Sequence, residues 1–329
     1  MKKYFALLIA IIIFLMAGCR GNQIIGNSSS NDTTAAVLYE RSNLPQDDKY
    51  WYEVNNDDHV IYAVNKNDNS KKVLYKVENE NYLINADDIS EHKIYFLILE
   101  TKSAKDEQIF APFKICSMNK DGTDFSVILT RSSLPISEDE VVRELKVHDD
   151  ILLIKTNSRT LIQYNLESKE TKTVADDVTM FGIHNQKLYY ISNWSLYETD
   201  MELKGKKTLL PATTDWDKSK QKNLVGMVTF VGNEIFYCQR VPYGIYQYNN
   251  GENKLISETS IDDEATVFLN EGKLYFIKSD IAKLMQYDPK TGQLSTVLTV
   301  KDFGSTPKII NGYFYYYNSK GEVRRVKVK

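Results

Sequence analysis

The sequence predicts an all-β fold, a propeller of four-stranded antiparallel blades, and three observations carry that prediction. An apolar run recurs with its second residue at Trp51, Tyr95, Leu152, Tyr189, Phe236, Tyr275 and Phe314, at intervals of 44, 57, 37, 47, 39 and 39 residues. Propeller repeats are about 40 to 50 residues long. The 22 tyrosines fall mainly inside these runs, as at Tyr189-Tyr190 and Tyr315-Tyr316-Tyr317, and aromatic and β-branched residues favour strands. Helix-period patterns are scarce beyond Arg20. A composition that is 42% hydrophobic and 26% charged excludes disorder for most of the chain and provides for a sizeable core.

The chain opens with a secretory leader. Lys2 and Lys3 form a basic start, residues 4–17 are apolar, and Ala17 and Gly18 precede Cys19. The apolar run is shorter than the roughly 20 residues a spanning helix needs. Met16-Ala17-Gly18-Cys19 resembles the bacterial lipobox. That resemblance implies a signal peptide over residues 1–18, cleavage behind Gly18, and a diacylglycerol thioether on Cys19 that anchors the protein to a membrane outside the cytoplasm. An ordinary leader with a chance cysteine is the alternative. Residues 20–35 are rich in Asn, Ser, Thr and Gly and too poor in apolar side chains to offset the entropy of ordering them. They read as a flexible tether, so that residues 19–35 join the lipid to a domain spanning residues 36–329.

Within the domain each first run is followed by a second, at residues 60–64, 113–118, 161–166, 195–200, 245–249, 283–287 and 322–327. Turn signals such as Asn119-Lys120-Asp121-Gly122 and Asp288-Pro289-Lys290-Thr291-Gly292 come next. Before most first runs another strand ends in a tight turn, as at Ile309-Ile310-Asn311-Gly312. Each unit is therefore a meander of strands A to D, and there are seven units, with six or eight blades as alternatives. The last unit ends without a D strand. Val37-Leu38-Tyr39-Glu40-Arg41-Ser42-Asn43-Leu44-Pro45 matches the D strand and exit at Val127-Ile128-Leu129-Thr130-Arg131-Ser132-Ser133-Leu134-Pro135. Val37, Leu38, Tyr39 and Glu40 are thus expected as a strand that pairs with the last blade, closes the ring and covers its open edge.

First runs such as Lys187-Leu188-Tyr189-Tyr190-Ile191-Ser192 and Lys49-Tyr50-Trp51-Tyr52-Glu53 resemble the strands of the Tyr-Trp-Thr-Asp propellers of the low-density-lipoprotein-receptor class. The chain resembles the bacterial, extracytoplasmic relatives of that class, largely a family of unknown function. The resemblance implies a propeller of six blades, whereas the units count to seven.

A-to-B and C-to-D turns lie on one face of a meander, B-to-C and D-to-A connections on the other. The long connections all belong to the second group: residues 100–112, 130–140, 211–223 and 240–244. Long loops on one face of a repeat array commonly form its binding face, although tolerated insertions look the same in sequence. On them stand Phe110, Asp215, Trp216, Asp217, Arg240 and Tyr243, with Trp194 in a neighbouring B-to-C turn. An exposed Trp beside carboxylates suits stacking on a sugar or anchoring a protein partner; packing of Trp194 and Trp216 beneath their own loops is the alternative.

Catalytic patterns are not recognisable. His92, His148 and His184 fall at A-to-B turns, and no His pair has metal spacing. The Asn119 to Asp124 stretch lacks the twelfth-position Glu of a calcium loop. Cys116 and Cys238 lie on strands of different units and are expected buried and unbridged. The net charge is −3, or −5 without the leader lysines, with no basic stripe, which argues against nucleic acid. The expectation is a non-enzymatic, membrane-anchored module with no cofactor or metal, presenting a propeller face to a protein or glycan. A carbohydrate-active lyase or hydrolase and an envelope-assembly scaffold are the alternatives.

Overall fold

A computed structural model describes residues 33–79, 81–100, 113–138, 140–215, 220–249, 251–258, 267–278, 283–300 and 303–328. Among the described residues a helix α1 (Thr33–Arg41) precedes 26 strands in seven antiparallel sheets. The first sheet holds β1 (Tyr50–Asn55), β2 (Val60–Asn65) and β3 (Lys71–Lys76), and the second holds β4 (Tyr82–Ile89), β5 (Lys93–Glu100), β6 (Phe113–Asn119) and β7 (Ser126–Thr130). The third comprises β8 (Val142–His148), β9 (Ile151–Thr156), β10 (Leu161–Asn165) and β11 (Thr171–Ala175), and the fourth β12 (Val178–His184), β13 (Lys187–Ser192), β14 (Ser195–Asp200) and β15 (Lys207–Leu210). The fifth runs β16 (Val225–Val231), β17 (Glu234–Arg240), β18 (Tyr243–Asn249) and β19 (Glu252–Glu258). The sixth runs β20 (Phe268–Asn270), β21 (Lys273–Lys278), β22 (Lys283–Asp288) and β23 (Gln293–Thr299), and the seventh β24 (Phe303–Ile310), β25 (Tyr313–Asn318) and β26 (Val323–Lys327). The expected first and second runs of each unit are its B and C strands.

The cores lie between sheets. Tyr52, Ile61 and Ala63 of the first sheet pack with Phe96, Cys116 and Met118 of the second. Leu97, Phe113 and Leu129 of the second meet Leu152, Ile154 and Tyr164 of the third, and equivalent clusters join every later pair through to the seventh sheet. A B strand is therefore covered on both faces, which is why it reads as a continuous apolar run. Tyr189, Tyr190 and Ile191, three residues in succession, are all buried. The A strands touch one another between the second and third sheets and from the fourth through to the seventh, so they are the innermost strands.

Outer strands solve a different problem. In β3, β7, β11, β15, β19 and β23 one residue is extra relative to the partner strand: Leu74, Ile128, Val174, Leu209, Ile256 and Val297. Each is apolar, and each packs in or against the cluster shared with the following sheet. A bulge turns one more side chain toward the neighbour and increases local twist. Gly122, in the turn ahead of β7, passes so close to the first of these that an added Cβ would lie 2.7 Å from the Leu74 carbonyl oxygen, and its φ is +93°. Only glycine combines that dihedral with that approach.

Two expectations are corrected at the chain's ends. Val37, Leu38, Tyr39 and Glu40 belong to α1 rather than to a closing strand, so the first and last sheets have three strands each. Ala35, Ala36 and Leu38 are good helix formers, and Arg41 in the last turn complements the helix dipole. A helix also turns Tyr39 onto the seventh sheet, where its ring meets those of Tyr315 and Tyr317 at 6.3 and 5.1 Å. The match that prompted the strand is real but reports a turn: Leu44 N–H donates to Arg41 O at 3.0 Å, as Leu134 N–H does to Arg131 O at 3.1 Å. Beyond it, Tyr52 N–H donates to Pro45 O at 2.9 Å and Gln46 bridges Trp51, which stands where the first sheet lacks an inner strand. Arg41 pairs with Glu53 and donates to Asn69 Oδ1 at 2.7 Å. The helix therefore ties the seventh sheet to the first.

Candidate functional site

The longer described connections, residues 131–141 and 211–224, both run from D to A strands and so share the expected face. The second is closed at its base by a two-stranded bridge in which Thr213 and Lys222 exchange backbone hydrogen bonds of 2.9 and 3.0 Å. Gln221 Nε2 donates to Asp215 O at 3.0 Å above that base, and Asp215 is exposed. Trp216, Asp217, Phe110 and Cys19 lie outside the described residues.

Two hairpins flank this stem. Asn193 and Trp194 join β13 to β14 with φ of 47° and 63°, the two positive dihedrals of a type I′ turn. Asn suits the first position, whereas a bulky aromatic at the second is unusual. Trp194 O accepts from Val225 N–H at 2.9 Å, which fixes the turn against the start of β16. The other hairpin corrects an expectation: residues 240–244 are not a long loop, because Arg240 and Tyr243 extend β17 and β18 as a pair and leave only Val241 and Pro242 between them, joined by a cis peptide. Gln239 Nε2 satisfies the turn by donating to Val241 O at 2.9 Å. Asn223 N–H donates to Val241 O at 2.8 Å and Arg240 N–H to Leu224 O at 2.8 Å, which lock the hairpin to the long connection.

These turns bring together Trp194, Arg240 and Tyr243. The Arg240 guanidinium lies 4.6 Å from the centroid of the Trp194 ring, a cation–π contact between sheets. Tyr243 is 36% exposed. The result is an indole and a guanidinium stacked beside a phenol, which is a surface able to meet flat, polar or anionic groups.

On the same face, at the second sheet, a cavity of about 530 Å³ is lined by Tyr82, Glu100, Lys114, Arg131, Leu134 and Glu138 among others. Glu140 holds its rim. It accepts from Ser137 N–H at 2.7 Å and from Thr156 Oγ1 at 2.9 Å. Burial pushes its carboxyl upward, but the hydrogen bonds from Ser158, Ser137 and Thr156 outweigh that and hold it below the usual range.

The innermost strands carry an acidic group that sequence reasoning missed. Asp88 accepts from Val147 N–H at 2.8 Å, and Glu144 pairs with Lys155 at 2.6 Å. Burial, reinforced by Glu144 and Asp88, raises the Asp87 carboxyl well above its usual range. Adjacent Asp residues inside a strand that must line the middle of the molecule were the available signal. Among the described residues no group of His, Cys, Asp and Glu is arranged to hold a metal ion. The histidines serve turns: His59 Nδ1 lies 2.7 Å from Tyr82 O, His148 Nε2 lies 2.7 Å from Gln186 Oε1, and the His184 ring stacks on Phe230 at 4.3 Å. Cys116 and Cys238 are buried and joined by no disulfide, and burial pushes the Cys116 thiol up to about 12.

Seven radially ordered antiparallel sheets, packed face to face around adjoining inner strands, define a β-propeller of seven blades. No protein-family model and no curated protein matches the chain. Among solved structures, Sqt1 of Saccharomyces cerevisiae superposes with a TM-score of 0.53 at 10% identity, over 87% of this chain and 83% of its own. BamB of Moraxella catarrhalis gives 0.48 at 11% identity, over 87% and 81%. PorZ, a surface component of the type-IX secretion system of Porphyromonas gingivalis, gives 0.49 at 13% identity over 87% of this chain, which spans 36% of the length of PorZ. At these identities the likeness is one of fold.

Proposed function

We propose that the chain is a non-enzymatic binding module, carried outside the cytoplasm on a lipid at Cys19, that presents its long-connection face to a protein or glycan. The observation that supports this most is Arg240 stacked on Trp194 while Trp194 is held at φ 63°. A non-glycine residue in the left-handed region costs about 1–2 kcal/mol, and strain of that kind gathers where a side chain must be presented. An aromatic ring backed by a cation can stack on a sugar face or anchor a peptide. Lipid and tether would leave that face free to meet its ligand near a membrane surface.

Trp194→Gly tests the face. Relief of the turn strain offsets the lost stack of about 0.5–1 kcal/mol, so the stability is expected to change by less than about 1 kcal/mol. Capture of ligand on a glycan array or in a pull-down is expected to vanish. Undiminished capture by the variant would remove the proposed face. Cys19→Ser is expected to move the protein from the membrane fraction to the soluble one, and unchanged fractionation would remove the anchor.

A further inference from the structure

A cavity of about 690 Å³ opens where the last sheet meets the first, on the side of the short A-to-B and C-to-D turns and opposite the Trp194 face. Asn43, Gln46, Lys66, Asn67, Lys308 and Asn311 are among its polar lining, over aliphatic side chains from α1, β20 and β24. Among the described residues no Asp or Glu lines it, in a chain whose net charge is −3.

The two ammonium groups are held by neutral acceptors. Lys308 Nζ donates to Ser42 Oγ at 2.7 Å and to Asn43 Oδ1, and it lies 5.7 Å from the Tyr39 ring centroid. Lys66 Nζ donates to the backbone oxygen of Asp47 and lies 5.6 Å from the Trp51 ring centroid. The carboxylates of Asp47 and Glu53 are engaged elsewhere. Asp47 accepts from Tyr52 Oη at 2.6 Å, Tyr50 N–H at 2.8 Å and Lys49 N–H at 2.9 Å, and its other cation is Lys120 at 3.3 Å. Glu53 is shared by Arg41 and Lys71. Elsewhere the partly buried cations Arg41, Lys120 and Lys155 each have a carboxylate within 4 Å. Burial draws the Lys308 ammonium down to about 8, from an ordinary 10.5, and no carboxylate among the described residues pairs with it.

We propose that this seam cavity binds a small organic anion, of monosaccharide size, whose carboxylate or phosphate lies between the Lys66 and Lys308 ammonium groups while its hydroxyls meet the surrounding amides. The volume lies within the usual range for small-molecule sites, about 300–1,000 Å³. Four amide side chains offer donors and acceptors together, which suits a polyol. A desolvated cation held only by neutral acceptors gains more from an anion than a solvated one does.

The full chain, purified in detergent and titrated calorimetrically near neutral pH at low salt, is the test, with glucuronate, glucose 6-phosphate and glucose as three separate ligands. At least one anion is expected to bind, with glucose weaker by about tenfold or more; which anion binds identifies the head group. Asn67→Asp places a carboxylate at the rim from an exposed turn and leaves the contacts of α1 untouched. It is expected to weaken the anion by about tenfold or more, as is Lys308→Gln. Absence of anion binding up to about 10 mM, equal binding of glucose, or full affinity in Asn67→Asp would each overturn the proposal.

Discussion

Asp87 is the extra residue at the bulge in β4. Asn85 Nδ2 donates to its Oδ1 at 2.9 Å, while its Oδ2 is buried without a hydrogen-bond partner among the described residues. Burial, with Glu144 and Asp88 adding to it, raises the folded-state pKa well above the usual carboxylate value. A carboxyl with a raised folded-state pKa holds its proton more tightly in the folded chain, so its stabilisation is complete below the unfolded value and is lost as pH rises through the folded one. Asp88, also raised chiefly by burial, acts in the same direction. Asp47 acts in the opposite one. Burial pushes it up, but Tyr52, the Tyr50 and Lys49 N–H groups and Lys120 prevail and hold it at about 2, so its stabilisation is lost as pH falls from about 4 toward 2. Urea unfolding of the native chain and Asp87→Asn in parallel across pH separates Asp87 from the lowered carboxyls, Asp47 and Glu140 among them, whose stabilisation still rises with pH through the unfolded carboxylate range. Relative to Asp87→Asn, the native chain is expected to lose stability as pH rises through the folded-state value of Asp87. Parallel curves for the two proteins would refute this reading of Asp87.

At the scale of the strand, the repeated bulge explains a pattern that simple alternation cannot. Leu209 and Leu210 are adjacent in β15, yet both are buried, at 8% and 4% exposure. A regular strand would turn one of them to solvent. The bulge opposite Leu196 and Tyr197 turns both inward. Leu209→Ala is therefore expected to lower unfolding stability by about 2–3 kcal/mol, as for a core leucine, although it sits on the outermost strand. Thr208→Ala, one residue earlier and exposed, is expected to change it by less than about 0.5 kcal/mol. Chemical denaturation of both variants checks the contrast, and equal effects would sink it.

The same elements show what is legible in the amino-acid order. B and C strands stand out because both of their faces are covered, so their apolar residues are contiguous. Six C strands end in Asn or Asp, at Asn65, Asn119, Asn165, Asp200, Asn249 and Asp288. Asn165 Oδ1 accepts from Glu167 and Ser168 N–H at 2.9 and 2.7 Å, and Asp200 and Asp288 act similarly. Such side chains start turns by bonding to the backbone two residues on. Tyr243 and Trp194 are recognisable by type as surface aromatics, but the stacking of Arg240 on Trp194 is a contact between sheets that spacing along one strand does not encode. The Pro in Val241-Pro242 reads as a loop breaker, whereas pairing of Arg240 with Tyr243 keeps the hairpin tight.

Across the whole molecule the six bulge residues each fill the seam with the next sheet, and the seventh sheet has no outer strand to supply one. Tyr39 of α1 takes that place, 5% exposed, in a cluster with Tyr315. Arg41 completes the join on the other side, with its guanidinium 5.1 Å from the Trp51 ring centroid. Tyr39→Ala is expected to reduce stability by about 3 kcal/mol, the cost of truncating a buried aromatic. It is also expected to increase concentration-dependent association, because β26 keeps an unpaired edge that the helix helps to shield. Calorimetry with light scattering reads both, and a midpoint unchanged by the substitution would show that the seam closes without the helix.

The position of α1 also sets where the propeller yields under load. A pull on the residues ahead of Thr33 reaches the sheets first through this helix, whose grip includes the Tyr39 ring against Tyr315 and Tyr317 and the contacts of Arg41 with Glu53, Asn69 and Trp51. The hydrogen-bonded strands lie behind it. Tension along the N-terminal segment would therefore detach α1 before it extended any sheet, and in doing so would open the Lys66 and Lys308 cavity. The attachment of the helix and the Lys66 and Lys308 cavity share one joint.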